Sequence, residues 1–518
     1  MNYTRYLILI SLISIFPTDN LFAQKENKII FHMENTNTKI SKDIYGQFAE
    51  HLGRCIYDGI WVGEESDIPN TKGYRKDILE ALKALDIPVL RWPGGCFADT
   101  YHWKDGIGPR ADRPSIVNVN WGGTTENNSF GTHEFLDLCE LLECDAYISG
   151  NVGSGTVQEM AEWAEYMTSD SESPMTNLRK QNGREKPWNV KYFGLGNEAW
   201  GCGGNMSPEF YANLCKQYGT YLNYSGRNVQ KIAAGASDKD VNWTEVLMKN
   251  VGTKVEGVSL HYYTLPGNWD KKGSATDFGE EAWFTVLRKT MLMEDFIEDH
   301  IAVMDKYDKE KKVSLMVDEW GTWYDSQSNV KGDILFQQNT LRDAMVAAIN
   351  LNIFNNHADR VKMANIAQVV NVLQAMILTR DNEIVLTPSY YVFKMFREHQ
   401  DATLIPITVQ CNNYQFNNES ISSINASAST RKDGKICITL VNIDPNQSQI
   451  IQLENLLNSK KKKVKGEILT SIAINDFNDF GKPEKIKPMP FHDFELNSNQ
   501  MILQMPPKSI IKLLFSEH

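Results

Sequence analysis

Cysteine motifs, metal-ligand motifs and long apolar runs are scarce in this chain of 518 residues. Its eight cysteines are irregularly spaced and include no CxxC pair, and no HExxH sequence occurs. Neither dithiol redox chemistry nor a metal site is therefore indicated. A chain of this size needs no disulfide framework to fold; one or two disulfides are compatible with the count, but spacing does not assign their pairing.

Basic residues are fewer than acidic ones, at 53 against 65. The formal net charge is -12, and the only basic run is Lys460–Lys463 with Lys465. Because phosphate backbones are bound by basic patches, nucleic acid is not an expected partner. The glycine-rich stretch Gly150–Gly155 lacks both the GxGxxG order and the P-loop lysine, so it predicts a loop of a βα unit rather than a nucleotide site.

The apolar run at the N-terminus is too short to span a bilayer, and no later apolar run is long enough to do so. Arg5 precedes the apolar residues 6–16, and Leu21-Phe22-Ala23 forms a small-residue cleavage site. This pattern predicts a signal peptide over residues 1–23 and an exported protein, periplasmic or extracellular, without a membrane span. Gln24 stands where a lipoprotein would carry cysteine, so a lipid anchor is not expected.

What the chain has is a repeated alternation of strand-like apolar runs, loops and helical patterns. This alternation indicates α/β architecture with a parallel sheet, and eight such units predict a (β/α)8 barrel over residues 44–397. The predicted strands are Ile44–Phe48, Ile87–Arg91, Asp145–Ser149, Val190–Gly194, Lys231–Gly235, Gly257–His261, Val313–Val317 and Val361–Gln368. The predicted helices are Lys76–Leu85, Thr132–Leu142, Thr156–Met167, Pro208–Asn223, Met291–Lys306 and Gln337–Phe354.

The pattern changes at residue 398 to short alternating runs separated by Asn, Gly and Pro. Residues 398–518 are therefore predicted to form an all-β sandwich. Residues 24–43 contain a strand at Lys28–His32, ahead of the barrel, which we expect to join that sandwich.

Two glutamates follow predicted strands: Glu198 after the fourth and Glu319 after the seventh. In a barrel the ends of these strands face each other across the mouth, so the two carboxylates converge to about 5 Å, the spacing of a retaining glycosidase. One would donate a proton and the other would act as nucleophile. The alternative is that both are rim residues in ordinary ion pairs.

An ordered set of short motifs runs across nearly the whole mature chain. The motifs are Gly46-Gln-Phe-Ala-Glu50-His-Leu-Gly-Arg54, Arg91-Trp-Pro-Gly-Gly-Cys-Phe97, Gly196-Asn-Glu198, Ser259-Leu-His-Tyr-Tyr263, Asp318-Glu-Trp320 and Ala367-Gln-Val-Val-Asn371. In this order they resemble the α-L-arabinofuranosidases of glycoside hydrolase family 51. The resemblance implies a retaining barrel that needs no metal and no organic cofactor, with Glu198 as acid/base and Glu319 as the nucleophile that forms a covalent arabinosyl-enzyme.

The same resemblance implies a set of substrate-binding residues. Asn197 would bind the hydroxyl beside the reacting carbon, although a turn-forming role is the alternative. Glu50 would bind sugar hydroxyls, the alternative being a rim salt bridge with Arg54. Gln368 is favoured over Asn371 for the remaining hydroxyl contacts.

Four further residues complete the predicted site. Cys96 is expected to be a neutral buried thiol that lines the pocket, and Tyr263 to hydrogen-bond the nucleophile. Arg91 would orient a catalytic carboxylate. His261 would line the pocket, with a satisfied core histidine as the alternative. In the loop after the sixth strand, Trp269 or Trp283 would stack on a sugar.

The predicted function is an exo-acting arabinofuranosidase that removes terminal arabinofuranosyl groups from arabinan, arabinoxylan or their oligosaccharides. A related endoglucanase, endoxylanase or β-xylosidase would keep both glutamates, and its endo-acting forms would need an open cleft. A noncatalytic carbohydrate-binding protein would not need the pair. The resemblance is also compatible with a homo-oligomer.

Overall fold

The structure of the chain is a computed structural model. The structure describes residues 27–225, 229–327, 332–456, 462–496 and 500–517. The predicted signal peptide, residues 1–23, lies outside the described residues. Among the helices of the described ranges, none is both long enough and apolar enough to cross a membrane.

The centre of the described structure is a closed barrel of eight parallel strands, as predicted. The strands pair in chain order, and the eighth pairs with the first. Most of their residues are buried because helices cover the outside of the barrel and side chains fill its interior. In chain order the strands are Gly46–Phe48, Val89–Trp92, Asp145–Gly150, Val190–Leu195, Gln230–Ser237, Gly257–Thr264, Ser314–Thr322 and Val361–Ala367.

Nine α-helices occur within the described residues, most of them between barrel strands. Lys76–Leu85 shows why they form: apolar residues at helical spacing bury one face, and its exposed face is charged. Six agree with predicted helices, although the longest begins at Glu280 rather than Met291; the 174–181, 241–250 and 388–396 helices were not predicted. The helices are Lys76–Leu85, Thr132–Leu142, Val157–Thr168, Pro174–Gln181, Pro208–Ser225, Val241–Asn250, Glu280–Tyr307, Leu341–Asn356 and Pro388–Phe396.

Two antiparallel-rich sheets beside the barrel enclose a second hydrophobic core. The strand Asn27–Phe31 lies inside one sheet, antiparallel to Ile407–Gln410 and parallel to Gln449–Glu454, so the N-terminal strand is part of the sandwich. That sheet runs in the order Ile407–Gln410, Asn27–Phe31, Gln449–Glu454, Gln500–Met505 and Phe494–Leu496. The other runs Thr403–Leu404, Ile424–Thr430, Ile436–Asn442, Ser509–Glu517, Lys462–Leu469 and Met489–Phe491.

The sandwich packs against the outer helices of the barrel. Asn352 and Asn355 of the helix 341–356 hydrogen-bond Asn425 and Ser427 of the sandwich at 2.8 and 3.1 Å. Trp283 donates its indole N–H to the Ile443 carbonyl at 3.1 Å. These contacts hold the sandwich to the side of the barrel.

Short hairpins and 3-10 turns make up the loops around this framework. The hairpins pair Asn70–Thr71 with Tyr74–Arg75, Ile116–Asn118 with Thr124–Glu126, Ile377–Arg380 with Glu383–Leu386 and Asn413–Phe416 with Glu419–Ser422. The 3-10 turns are Met33–Asn35, Lys42–Tyr45, Cys96–Thr100, Trp103–Gly106, Arg110–Asp112, Gly252–Lys254 and Arg397–His399.

Candidate active site

The carboxyl ends of three barrel strands bring Glu198, His261 and Glu319 together. The Nδ1 atom of His261 lies 2.9 Å from Glu198 Oε1 and 2.7 Å from Glu319 Oε2. One carboxylate oxygen from each glutamate and one ring nitrogen of the histidine all lie within 4.8 Å of one another. The two glutamates predicted from separate motifs therefore share one pocket, where both contact the same nitrogen of a single imidazole.

His261 is held by a third carboxylate on its other nitrogen. Asp318 Oδ1 lies 3.1 Å from His261 Nε2, and the Tyr147 hydroxyl donates to Asp318 Oδ2 at 2.6 Å. Burial by itself would lower the pKa of His261, but the charge of Glu319 and hydrogen bonds with Asp318 and Glu198 raise it well above its ordinary value. The histidine is therefore a cation in contact with both glutamates.

The surroundings shift the pKa values of the two glutamates in opposite directions. Burial raises the pKa of Glu198 above its ordinary value, against the lowering effect of the hydrogen bond from His261. Burial would also raise the pKa of Glu319, but the charge and hydrogen bonding of His261 and the charge of Arg91 lower it. One carboxyl therefore tends to keep its proton while the other stays ionised.

Arg91, at the end of the second strand, connects the two sides of the pocket. Its guanidinium donates to Asn197 Oδ1 at 2.6 Å and to the Asp318 carbonyl at 3.0 Å. Its Nη1 lies 3.7 Å from Glu319 Oε2. Burial would lower the pKa of Arg91, but the charges of Asp318 and Glu319 raise it, so the cation persists.

Glu50 lies at the end of the first strand, and only 1% of its surface is exposed. Its Oε1 accepts hydrogen bonds from Trp121 Nε1 at 2.9 Å and Phe97 N at 3.2 Å, and its Oε2 accepts one from Gln368 Nε2 at 2.9 Å. Burial, and next the charge of Glu319, raise its pKa to about 7. Arg54 pairs with Asp333 instead, so the predicted alternative of a Glu50–Arg54 bridge is not formed.

Asn371, the less favoured candidate on the eighth strand, points elsewhere. Its amide nitrogen donates to Thr379 Oγ1 at 2.7 Å and to the Arg54 carbonyl at 2.9 Å. The structure therefore brings Gln368, and not Asn371, against Glu50.

Two glycines, Gly94 and Gly95, follow the second strand, and the surroundings of Gly95 show why a larger residue would not fit there. A Cβ atom on this residue would lie 3.1 Å from Glu319 Oε1 and 3.3 Å from Glu50 Oε1. The backbone therefore passes close between two buried carboxylates, and a side chain would occupy the space in front of them.

Aromatic rings line the approach from the sixth and seventh strands. Tyr263 is buried, and burial together with the charges of Glu319, Glu198 and Glu50 raises its pKa well above its ordinary value. Its ring packs edge-on against Trp323 at 5.0 Å, and Trp269, 53% exposed, lies 5.4 Å from Trp323. Trp283, the other candidate for stacking, is fully buried in a helix that faces the sandwich, so it does not reach a sugar and Trp269 is the candidate that stays.

The prediction that Cys96 is a free buried thiol is also wrong. Cys96 is partly exposed and forms a disulfide with Cys202, 106 residues further along the chain. The two residues follow the second and fourth barrel strands, which both pair with the third strand, and this arrangement brings the two loops together. Cys202 Sγ lies 3.5 Å from Glu198 Oε2, so the bridge borders the acid/base candidate.

Other residues of the site were not predicted. Asp318 directly precedes Glu319 in a motif, and that position is the sequence signal by which it could have been found. Asp99 accepts hydrogen bonds from the backbone of Asn197, Val152 and Gly153 at 2.8 to 2.9 Å. Trp121 and Tyr147 had no sequence signal beyond their position in loop and strand.

Comparison with known proteins identifies the family to which this site belongs. The family profiles described as α-L-arabinofuranosidase 1 domain and α-L-arabinofuranosidase C-terminal domain match residues 81–278 and 318–509. The intracellular exo-α-L-arabinofuranosidase of Bacteroides ovatus is 55% identical over 98% of this chain and 99% of its own. A family 51 arabinofuranosidase crystal structure from Xanthomonas axonopodis pv. citri is 46% identical, with a TM-score of 0.93, over 95% of this chain and 100% of that one.

The chain belongs to the α-L-arabinofuranosidases of glycoside hydrolase family 51. The predicted family, the barrel and the glycoside hydrolase class are thereby confirmed. A second crystal structure, of the α-L-arabinofuranosidase from Thermotoga maritima in complex with arabinose, is 29% identical to this family 51 chain, with a TM-score of 0.84. The match covers 95% of this chain and 100% of the Thermotoga chain.

The prediction that this arabinofuranosidase is exported is wrong. The relative that is 55% identical over 98% of the chain is named an intracellular enzyme. The prediction used only one basic residue, a short apolar run and a small-residue site. So short a compositional pattern does not determine how the export machinery treats a segment.

Proposed function

We propose that the chain is an exo-acting, retaining α-L-arabinofuranosidase that releases terminal non-reducing arabinofuranosyl groups from arabinan, arabinoxylan or their oligosaccharides. The observation that carries the proposal is the pair Glu198 and Glu319. One carboxylate oxygen of each lies within 4.8 Å of the other, and their pKa values are shifted in opposite directions. A spacing near 5 Å leaves no room for a water molecule between the carboxylates and suits a covalent intermediate.

Glu319 is the nucleophile in this mechanism. Its lowered pKa keeps it ionised, and its Oε2 lies 2.7 Å from His261 Nδ1 and 3.7 Å from Arg91 Nη1, two cations that stabilise the carboxylate. The carboxylate of Glu319 attacks the anomeric carbon and forms a β-linked arabinosyl ester.

Glu198 donates a proton to the departing oxygen in the same step. Its raised pKa favours the protonated form, and the charge of Glu319 is one cause of that shift. When Glu319 becomes an ester this charge disappears, so the pKa of Glu198 falls. The residue then acts as a base that activates water, and hydrolysis returns the α configuration.

Three polar side chains would hold the sugar while its charge develops. Asn197 has its carbonyl oxygen occupied by Arg91, and its amide nitrogen donates one N–H toward Cys202 Sγ at 3.9 Å, which leaves the other N–H for the hydroxyl beside the reacting carbon. Glu50 and Gln368 support each other through two hydrogen bonds of 2.9 and 3.3 Å and suit neighbouring hydroxyls. Such contacts accelerate the reaction when they strengthen in the transition state.

Burial of the inner end of the site supports exo action. Glu50 is enclosed by Trp121, Gln368 and the backbone at Phe97, so the chain of a polymer would not continue past it. The Bacteroides ovatus relative is named an exo-acting enzyme.

Two alternative functions fit the site less well. An endo-acting glycosidase would need an open cleft, and a noncatalytic binder would not need two carboxylates with opposed pKa shifts. The homo-oligomer stays a prediction.

Hydrolysis of matched aryl glycosides by the purified chain tests this function. We expect turnover of the α-L-arabinofuranoside and release of α-arabinose as the first product. Proton NMR identifies the anomer that is released before mutarotation. Preference for the β-D-xyloside or β-D-glucoside, or initial release of the β-anomer, would contradict the proposal. Glu319→Ala is the inactive control.

His261→Gln should shift the pH profile of kcat/KM to higher pH in both limbs. The acidic limb follows ionisation of Glu319, whose pKa rises when its cationic neighbour is lost. The alkaline limb follows loss of the Glu198 proton, whose pKa also rises because the hydrogen bond from His261 lowers it. We expect both limbs to move by about one pH unit or more. The measurement is kcat/KM for an aryl α-L-arabinofuranoside from acid to alkaline pH.

His300→Gln is the matched control for this prediction. His300 is a second fully buried imidazole, bonded to Thr244 and the Asp238 carbonyl outside the site. Its replacement is expected to leave both limbs in place. Unmoved limbs in His261→Gln would show that the histidine does not set the charge state of the glutamates.

A further inference from the structure

The 3-10 turn Cys96–Thr100 holds the loop after the fourth strand at two points. Asp99 Oδ2 accepts a hydrogen bond from the Asn197 backbone N–H at 2.9 Å. Cys96 is covalently bonded to Cys202. Glu198 lies between these two attachments, one a hydrogen bond on its N-terminal side and one a disulfide four residues beyond it.

The backbone of Glu198 needs such support. Its φ of 40° lies in the left-handed region, which residues with a Cβ rarely adopt and which persists only where surrounding structure imposes it. Within the loop, Gly201 and Gly203 donate N–H groups to the Glu198 carbonyl at 2.7 and 3.1 Å. The Cys202 sulfur lies 3.5 Å from Glu198 Oε2, the carboxyl oxygen that does not face His261.

We propose that the Cys96–Cys202 disulfide is a positioning element for Glu198, and that opening it weakens proton donation to the leaving group. The inference rests on the proposed role of Glu198 as acid/base. It predicts that the enzyme's activity depends on the thiol–disulfide state of its surroundings.

The effect should be confined to the acid/base side of the site. Asn197 loses at most a long contact of its amide nitrogen with Cys202 Sγ, at 3.9 Å, when the bridge is open. Asp99 and Arg91 still hold Asn197 through hydrogen bonds of 2.9 and 2.6 Å. Glu319 and Glu50 lie on other strands, with partners that do not include either cysteine. Sugar binding and nucleophilic attack are therefore retained, while the proton donor loses its fixed position.

The redox step is a thiol–disulfide exchange. Dithiothreitol supplies two electrons and two protons, the S–S bond becomes two thiols, and the reagent closes to its cyclic disulfide. Oxidised glutathione reverses the change by accepting the two electrons.

The experiment compares leaving groups before and after reduction of the purified full chain. Reduction should lower kcat/KM for the phenyl arabinofuranoside by about tenfold or more, because small displacements of a catalytic group cost large factors in rate. The 2,4-dinitrophenyl substrate, whose leaving group needs little acid help, should change by less than about twofold. Reoxidation should restore the rate with the phenyl substrate.

The double variant Cys96→Ala/Cys202→Ala should behave like the reduced enzyme and should not respond to dithiothreitol. Cys144→Ala and Cys411→Ala, at the two partly exposed free cysteines, serve as controls and should respond like the native chain. All assays contain a chelator, because Cys96, Glu198 and Cys202 offer ligand atoms within 4.8 Å of one another. Alkylation and mass analysis verify which cysteines are reduced.

Equal loss with every leaving group, or no loss once Cys96 and Cys202 are shown to be reduced, would overturn the proposal. If the bridge resists reduction, the double variant tests the role of the disulfide; if the double variant does not fold, the reduced native chain tests it.

Glu198→Ala distinguishes failure of the disulfide proposal from failure of the acid/base assignment. If it shows leaving-group dependence while bridge opening does not, only the role of the disulfide is wrong. If it shows none, the acid/base assignment itself is wrong.

Discussion

Glu319→Ala should reduce kcat for every arabinofuranoside by roughly 10⁵-fold, because no covalent intermediate forms without the nucleophile. The loss should be similar for good and poor leaving groups, since the missing bond is the one to the anomeric carbon. Adding azide should restore part of the turnover with the dinitrophenyl substrate. Azide then attacks from the face that Glu319 occupied, so the product should be the β-arabinofuranosyl azide.

Product configuration is the decisive measurement for this variant, and NMR determines it. The α-azide from Glu319→Ala would mean that a different residue forms the intermediate. Glu319→Gln keeps the shape of the side chain and should be equally inactive, which separates loss of charge from loss of packing. Glu80→Ala, on the exposed face of the helix 76–85, is the control and should keep native activity.

Glu198→Ala should slow hydrolysis according to the leaving group. For poor leaving groups the loss should be about 10³-fold, within the range typical of general acid catalysis, and for dinitrophenyl substrates the first step should be nearly unaffected. Because the variant also lacks the base for the second step, the arabinosyl-enzyme should accumulate and appear as a burst of phenol. Mass analysis of the quenched enzyme should find the added sugar on the peptide that contains Glu319.

Azide should rescue this variant to a different product. It attacks the β-linked arabinosyl-enzyme and therefore yields the α-arabinofuranosyl azide, the opposite of the product expected from Glu319→Ala. The same product from both variants, or an equal loss for all leaving groups in Glu198→Ala, would contradict the assignment of the two roles. Glu80→Ala should again behave as the native chain.

Much of the fold could be predicted because strands and amphipathic helices have clear periods. All eight barrel strands were located to within a few residues. The helix 174–181 was missed because it buries only Thr176 and Arg179 and has no apolar stripe. The helix 388–396 was missed for the opposite reason: it is buried on nearly every side, so no polar face marks its period.

The sequence determined the chemistry that the site offers. Glu198 and Glu319 each lie in a short motif, and the periodic pattern around them places both at the same end of a barrel. Glu50, Asn197 and Gln368 were predicted from the family resemblance, and their roles in sugar binding stay predictions. Residue type and short motifs are local properties of the chain, so candidate residues can be named from them.

Only the tertiary structure decided how these groups influence one another. The opposed pKa shifts of Glu198 and Glu319 depend on burial and on a His261 cation that Asp318 holds from its other side. The pairing of Cys96 with Cys202 depends on the pairing of the second and fourth strands with the third, which brings the loops after them together. Electrostatic interactions and disulfide bonds act across distances of a few ångströms in space, and no local pattern in the sequence specifies which distant residues approach so closely.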